Sequence, residues 1–343
     1  MGLRKYVARR LVYTVVLLVL IVLFNYFLFQ VLPFLINCNG LPYEKCAEDM
    51  YLPGQPPRGA PNFDYITQVR NHISKQFGFQ DPPLERIGLY LYNMFSGNFG
   101  FHVGSFGTGP VIQTIQYAAP YTILLLGSST IASFAIGIGL GVIAAAKRGK
   151  ILDVGFLATL LFLNSLPVFF LGAILQLLQI YTTGTTYISV PGETLLKTGS
   201  AFYEGVLKGL FLPFLTLTFA GIGGVFLTQR AVMMDAVGED YILMARAKGL
   251  PERTVLFKHA FRNAVLPIVT AFALSIGFIL SGAVITETVF GYPGLGRALF
   301  QGVVELDFPL EQALFFIIAV MVVVAVFIAD ILHGVLDPRV VKG

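Results

Sequence analysis

The chain has 343 residues, 56% hydrophobic and 12% charged, with a mean hydropathy of +0.76. A soluble domain carries roughly 25% charged residues, so this composition excludes an ordinary soluble protein and points to one that lives in a membrane. The formal net charge of +4 does not imply nucleic-acid binding, because the basic residues sort by membrane side.

A helical span needs about 20 apolar residues. Six runs qualify, roughly Leu11–Ile36, Tyr121–Ala146, Val154–Ile180, Leu207–Leu227, Val265–Thr286 and Gln312–Leu332. Arg4, Lys5, Arg9 and Arg10 precede the first. Its apolar run is too long for a signal peptide and no small-residue cleavage site follows, so it reads as a retained anchor. The expected fold is an all-α membrane protein with six transmembrane helices. Residues 1–36 form a tail and first helix, 37–112 an extracellular loop region, and 113–343 a core of five helices with an inside loop at 229–264. With the N-terminus inside, 15 of the 23 Lys and Arg residues face the cytoplasm and 8 face out. That asymmetry places both termini on the cytoplasmic side of a multi-pass cell-membrane protein.

The outside region opens with a Pro-, Gly- and Asn-rich stretch from Asn37 to Pro61 that holds both cysteines, Cys38 and Cys46. An oxidising exterior permits a disulfide between them. Two helices follow. Asp64–Phe77 puts Ile66, Val69, Ile73 and Phe77 on one side, and Asp81-Pro82 starts a second with Leu84, Ile87, Leu91 and Met94 as its face. They lie on the outer membrane surface or cap the bundle, as a scaffold or as a docking surface.

Within the spans, Gly137 and Gly141 have the spacing that lets membrane helices approach closely, with intrachain packing the plainer reading. Asn164-Ser165-Leu166-Pro167 interrupts the third span, as a structural kink or as a substrate contact. Gln176, Gln179, Ser275 and Ser281 carry the same ambiguity.

The inside loop is the most informative stretch. Tyr241–Pro267 carries Arg246, Lys248, Arg253, Lys258 and Arg262 against one acid, Glu252. Gly249-Leu250-Pro251 breaks it into two helices, since Gly favours the position past a helix end and Pro a helix start. In the first, Tyr241, Met244, Ala245 and Lys248 share a face, with Ala245 and Ala247 beside Arg246. Such a helix fits a narrow cleft on a partner. In the second, Leu256, Phe257, Ala260, Phe261 and Ala264 form an apolar stripe. An ordinary basic loop that only fixes topology needs neither the break nor the stripe. After the fifth span, Glu287-Thr288-Val289-Phe290-Gly291-Tyr292-Pro293-Gly294-Leu295-Gly296-Arg297 suits a tight turn. Glu287, an acid at a span end, is a pathway candidate or a structural cap.

No G-x-x-x-x-G-K-[ST] or H-E-x-x-H motif occurs, and His72, His102, His259 and His333 are scattered. No catalytic residue, metal site or cofactor is therefore expected. The spans hold few ionisable groups, with only Asp153, Asp330 and Glu287 near their ends. A secondary, ion-coupled transporter, the alternative class, usually needs intramembrane carboxylates or broken-helix sites.

Ala245-Arg246-Ala247-Lys248-Gly249-Leu250, followed by Arg262-Asn263-Ala264 and Pro267, resembles the cytoplasmic EAA-type coupling loop of ABC-importer permeases. In particular it resembles the B-type subunit of the oligopeptide/dipeptide/nickel family, although Leu243 sits near the place of the generic motif's glutamate. Phe77-Gly78-Phe79, Asp81-Pro82, Gly97-Asn98-Phe99-Gly100, the Glu287–Arg297 segment and Leu336-Asp337-Pro338-Arg339 also resemble that family. Residues 37–64 look like an insertion without family support.

The resemblance implies a type I ABC-importer permease fold. It also implies a second homologous permease, two ATP-binding subunits or domains that hydrolyse the ATP, a solute-binding protein outside, and membrane lipid around the bundle. It makes Tyr241, Ala245, Arg246, Ala247, Lys248, Gly249 and Glu252 the expected ATPase-coupling residues. Asn164, Ser165, Ser275 and Glu287 become candidates for the translocation pathway. The solutes implied are short peptides, with nickel complexes or, in an alternative reading, oligosaccharides carried by other family members.

Overall fold

The computed structural model describes residues 3–37, 46, 51, 63–104, 107–184, 200–277 and 283–336. Helix α1 runs from Leu3–Tyr26 through a π-helical turn, Phe27–Val31, into Leu32–Asn37. At the end of the bundle expected to face out, termed outer as the opposite end is termed inner, lie α2 (Phe63–Phe77), α3 (Pro83–Ser96) and a two-stranded antiparallel hairpin, β1 (Phe101–Gly104) with β2 (Gly107–Pro110), Phe101 opposite Pro110. The core follows as α4 (Val111–Ala146), α5 (Ile151–Ser165), α6 (Val168–Thr183) and α7 (Ser200–Val237). Then come α8 (Asp240–Ala247) and α9, which starts at Glu252–Thr254, makes a π-helical turn at Val255–Ala260 and ends at Phe261–Ala264. The remaining helices are α10 (Leu266–Gly277), α11 (Val284–Val289), α12 (Leu295–Glu305) and α13 (Phe308–Leu336).

Among the described residues, four stretches are long and apolar enough to cross a membrane: Arg4–Ile36, Val111–Ala146, Gly205–Val237 and Phe308–Ile331. The expected third span, Val154–Ile180, is not a kinked rod but two helices, α5 and α6, turned by 101°. Leu166 and Pro167 at the corner are extended, with ψ of 132° and 135°. Proline clashes with a helical residue before it, so Leu166 leaves the helix and the chain turns a corner. Counted as one span, the pair brings the number among the described residues to five. The expected Val265–Thr286 span is described as α10 and α11, each too short to cross alone, with 278–282 outside the described residues.

Helices α4 and α7 form the central pair. A Cβ added at Gly137 would lie 2.7 Å from the Cβ of Val225, and one at Gly141 2.7 Å from that of Gln229. The glycine spacing thus serves intrachain contact, bringing two backbones close as small residues do in membranes. Helix α1 packs on α13 through buried amides: Asn25 Nδ2 donates to the Gln312 carbonyl at 3.2 Å, and Gln30 Nε2 to Gln312 Oε1 at 3.1 Å. At the inner end of this pair, Arg10 meets Asp330 at 2.8 Å.

The outer core joins Val22, Tyr26, Tyr90, Met94, Ile115, Leu295 and Leu314, so α3 is clamped between α1, α12 and α13. Its inward face matches expectation at Ile87, Leu91 and Met94, but Leu84 is 84% exposed, because the packed stripe runs through Tyr90 instead. Within the 37–62 stretch, Tyr51 packs among Ile73, Phe77 and Phe79, which ties this residue to α2. Cys46 is buried and disulfide-bonded, while Cys38 lies outside the described residues, as do Ser281 and Asp337-Pro338-Arg339.

Candidate functional site

The inner end is organised by one apolar cluster. Ile242 and Ala245 of α8 insert among Val142 of α4, Met233 and Ala236 of α7, and Val255, Leu256, Ala260 and Ala264 of α9. This docking splits the face expected for α8. Ala245 is buried in the chain's own core and Tyr241 packs against it, while Met244, 65% exposed, turns outward with Leu243, Arg246, Ala247 and Lys248. An ideal-helix face takes no account of which side finds the core first. The π-helical turn in α9 has a similar consequence: Val255 and Leu256 both point inward, and Phe257, expected in the stripe, is exposed.

Helix α8 ends as its sequence requires. Gly249 has φ +75°, its N–H donates to the Arg246 carbonyl at 2.9 Å, and the Leu250 N–H reaches the Ala245 carbonyl at 3.4 Å. These paired bonds close the helix with a left-handed residue, which a glycine adopts without steric cost. Pro251 then caps α9, with its carbonyl accepting from the Thr254 N–H at 2.8 Å. Across the break, Arg246 Nη2 and Nε donate to Glu252 Oε1 and Oε2 at 2.7 and 3.3 Å. The hydrogen bond to that carboxylate raises the affinity of the guanidinium for its proton. The two-pronged contact holds the α8–α9 angle while both side chains stay open to solvent.

A buried ion pair is anchored on α7, ten residues before α8 begins. Arg230 on α7 donates from Nε to Asp153 Oδ1 at 2.6 Å and from Nη2 to Oδ2 at 2.9 Å, and the Gly149 N–H adds a third bond to Oδ2 at 2.9 Å. Asp153 therefore ties the α4–α5 loop and the start of α5 to the inner end of α7. Lys147, Arg148 and Lys150 of that loop stay exposed. In the sequence, Asp153 stands out only as an acid near a span end.

Toward the middle of the bundle, α4, α7 and α10 enclose a groove of about 430 Å³. Ser129, Thr130, Ser133, Thr228 and Ser275 supply its hydroxyls, between Leu126, Phe134, Val225 and Ile268. Of the four pathway candidates, Ser275 alone lines it. Asn164 and Ser165 sit exposed at the α5–α6 corner, where Asn164 meets Gly223 on another side of α7 and the Ser165 hydroxyl bonds to Phe162 of its own helix.

Glu287 is not part of the groove. It is fully buried, accepting from Thr122 Oγ1 at 2.9 Å and from the Arg297 N–H at 3.0 Å, with the Gly296 N–H as a further donor. The same Thr122 hydroxyl accepts from the Leu295 N–H at 2.7 Å. These are the first-turn amides of α12, so Glu287 caps that helix from α11. Gly294 and Gly296 lie against its carboxylate, with no room for a Cβ. The glycine-rich turn exists to admit this acid.

One outer cluster went unread in the sequence. His102 is buried, with Nδ1 3.2 Å from Asp307 Oδ2 and Nε2 2.7 Å from Thr114 Oγ1. Asp307 Oδ1 also accepts from the Leu310 N–H at 3.2 Å and so caps α13. The group pins the hairpin to α4 and α13; no local spacing links residues 205 positions apart.

Residues 137–342 match the family described as binding-protein-dependent transport system inner membrane components. The chain is 35% identical over 271 residues to the oligopeptide transport system permease protein AppB of Bacillus subtilis (strain 168), covering 79% of this chain and 84% of that one. It is 31% identical over 288 residues to the di/tripeptide transport system permease protein DppB of Pseudomonas aeruginosa (strain UCBPP-PA14), covering 80% and 85%. It is 33% identical over 287 residues to the metal-staphylopine import system permease protein CntB of Staphylococcus aureus (strain Mu50 / ATCC 700699), covering 83% and 86%.

Proposed function

Because this chain belongs to the inner-membrane components of binding-protein-dependent transport systems, we propose that it carries short peptides inward as one of two homologous permeases driven by two partner ATPase subunits or domains. A solute-binding protein delivers the peptide from outside, and ATP hydrolysis belongs to the partners. The protein sits in the cell membrane with both termini in the cytoplasm. Peptide is the cargo named for AppB and DppB among its relatives.

The observation that carries the reading is α8: a short helix rooted in the inner core through Ile242 and Ala245, with Leu243, Met244, Arg246, Ala247 and Lys248 turned outward. The outward face meets the ATPases and the inward face holds α4, α7 and α9. When ATP draws the ATPases together, α8 is pushed, and the Asp153–Arg230 pair makes the start of α5 move with the end of α7. The rigid bundle then switches between two arrangements rather than deforming gradually. Asn164 and Ser165, at the α5–α6 corner, serve as a hinge in this scheme and not as a solute contact.

Reconstitution in liposomes tests the proposal. Concentrative peptide uptake should require ATP and the partner ATPases. Uptake by the lone chain on an ion gradient would overturn it in favour of a secondary transporter. Reporter fusions after Gly149 and after Gly249 should both read cytoplasmic; an exterior reading at Gly249 would put α8 out of reach of any ATPase.

A further inference from the structure

We propose that the groove between α4, α7 and α10 selects for solutes rich in N–H donors rather than for charge, with Ser129, Ser133, Thr228 and Ser275 as the selecting side chains. This rests on reading the groove as this chain's share of the translocation pathway. The argument begins with what the wall lacks. No Asp, Glu, Lys, Arg or His occurs in Val111–Ala146, between Lys208 and Arg230 on α7, or in Leu266–Gly277. Arg230, the next charge along α7, is committed to Asp153.

Four of the five hydroxyls are committed too, but in one direction only. Ser129 Oγ donates to the Leu126 carbonyl at 3.2 Å, Ser133 Oγ to the Ser129 carbonyl at 2.8 Å, Thr228 Oγ1 to the Gly224 carbonyl at 2.9 Å, and Ser275 Oγ to the Ala271 carbonyl at 2.9 Å. A carbonyl can only accept, so in each contact the hydroxyl proton points back into its own helix. What remains for a solute is the oxygen lone pairs. Apart from Thr130, the wall is thus a set of neutral acceptors in a groove of about 430 Å³, inside the roughly 300–1,000 Å³ range of small-ligand sites.

A peptide entering such a groove strips water from its amide N–H groups and its ammonium, and both find acceptors. A carboxylate-coordinated metal complex offers mainly acceptors and negative charge, and must either pull hydroxyl protons off their carbonyls or enter unpaired, at a desolvation cost. Neutral acceptors also bind weakly, which suits passage, since a conducting site must release what it holds.

The test uses the complete importer in proteoliposomes, with the binding protein saturated by trialanine or by its backbone N-methylated counterpart. Thr228→Val combined with Ser275→Ala removes two acceptors. Trialanine turnover should fall about three- to tenfold, on the scale of one or two neutral hydrogen bonds. The N-methylated peptide should lose at least threefold less. Equal losses, or none, overturn the proposal. Thr228→Ser and Ser275→Thr keep the hydroxyls and should retain the wild-type ratio between the two peptides; a ratio like that of the hydroxyl-free variant assigns the effect to packing and likewise overturns it. The underlying reading has its own readout: Thr228→Cys and Ser275→Cys should react with a membrane-impermeant thiol reagent during turnover. Failure to label removes the groove from the pathway and the proposal with it, whereas labelling with equal peptide losses overturns the proposal alone.

Discussion

At the inner end of the bundle, Arg246 and Glu252 pair across a break in open solvent, and Lys248 points away from the chain. At the outer end, Glu287, His102 and Asp307 are buried and bonded to the chain's own hydroxyls, ring nitrogens and helix-end amides. Both ends carry charges near span boundaries, yet the outer ones build the fold, whereas at the inner end the Asp153–Arg230 pair is built in and the charges of α8 and α9 are left on a surface. The number of internal partners, rather than the position along the chain, separates architecture from contact surface.

Glu287→Ala should give the largest effect, since it strands Thr122 and the first-turn amides of α12 in the core. A loss of about 3 kcal/mol or more is expected for leaving several buried hydrogen-bonding groups without a partner, read as thermal unfolding in detergent, with Glu287→Gln much milder. An unchanged melting temperature for the alanine variant would break the contrast between the two ends.

Asp153→Ala comes next. It leaves Arg230 with no carboxylate and frees the Gly149 N–H, at about 3 kcal/mol. The sharper readout is coupling: ATP hydrolysed per peptide imported should rise, because the start of α5 no longer follows α7. If that ratio stays constant while stability falls, the pair is a clamp without a part in transmission.

Gly249→Pro cannot adopt φ +75° and also removes the N–H that closes α8. Peptide-stimulated ATP hydrolysis should collapse although the chain still inserts. Gly249→Asn tolerates the left-handed conformation and finds open space at its Cβ, so it should cost under about 1 kcal/mol and keep most activity. Equal defects in the two variants would count against the backbone explanation.

Glu252→Ala is the smallest. An exposed ion pair contributes about 0.5 kcal/mol, so stability should barely move, and coupling should soften modestly as the α8–α9 angle loosens. A stability loss as large as that of Asp153→Ala would show that the inner surface is more architectural than its exposure suggests.

Much of this was legible in the order of the residues. Apolar run length marked α1, α4, α7 and α13, because a bilayer sets a length that composition must meet. Gly249-Leu250-Pro251 announced the α8–α9 break, since only local backbone energetics are involved, and the Ala245–Leu250 motif carried the family. The tertiary structure alone decided the rest. Ala245 faces inward because Val142 reaches it from a helix about a hundred residues earlier, with Met233 of the preceding helix beside it. Leu166 and Pro167 give a 101° corner where the sequence allowed a kink. Asp153, Asp330 and Glu287 looked alike as acids near span ends, but they answer Arg230, Arg10 and the first turn of α12. Spacing encodes what a residue does to its own helix; which groups it meets across the bundle depends on how the helices dock, and no local pattern states that.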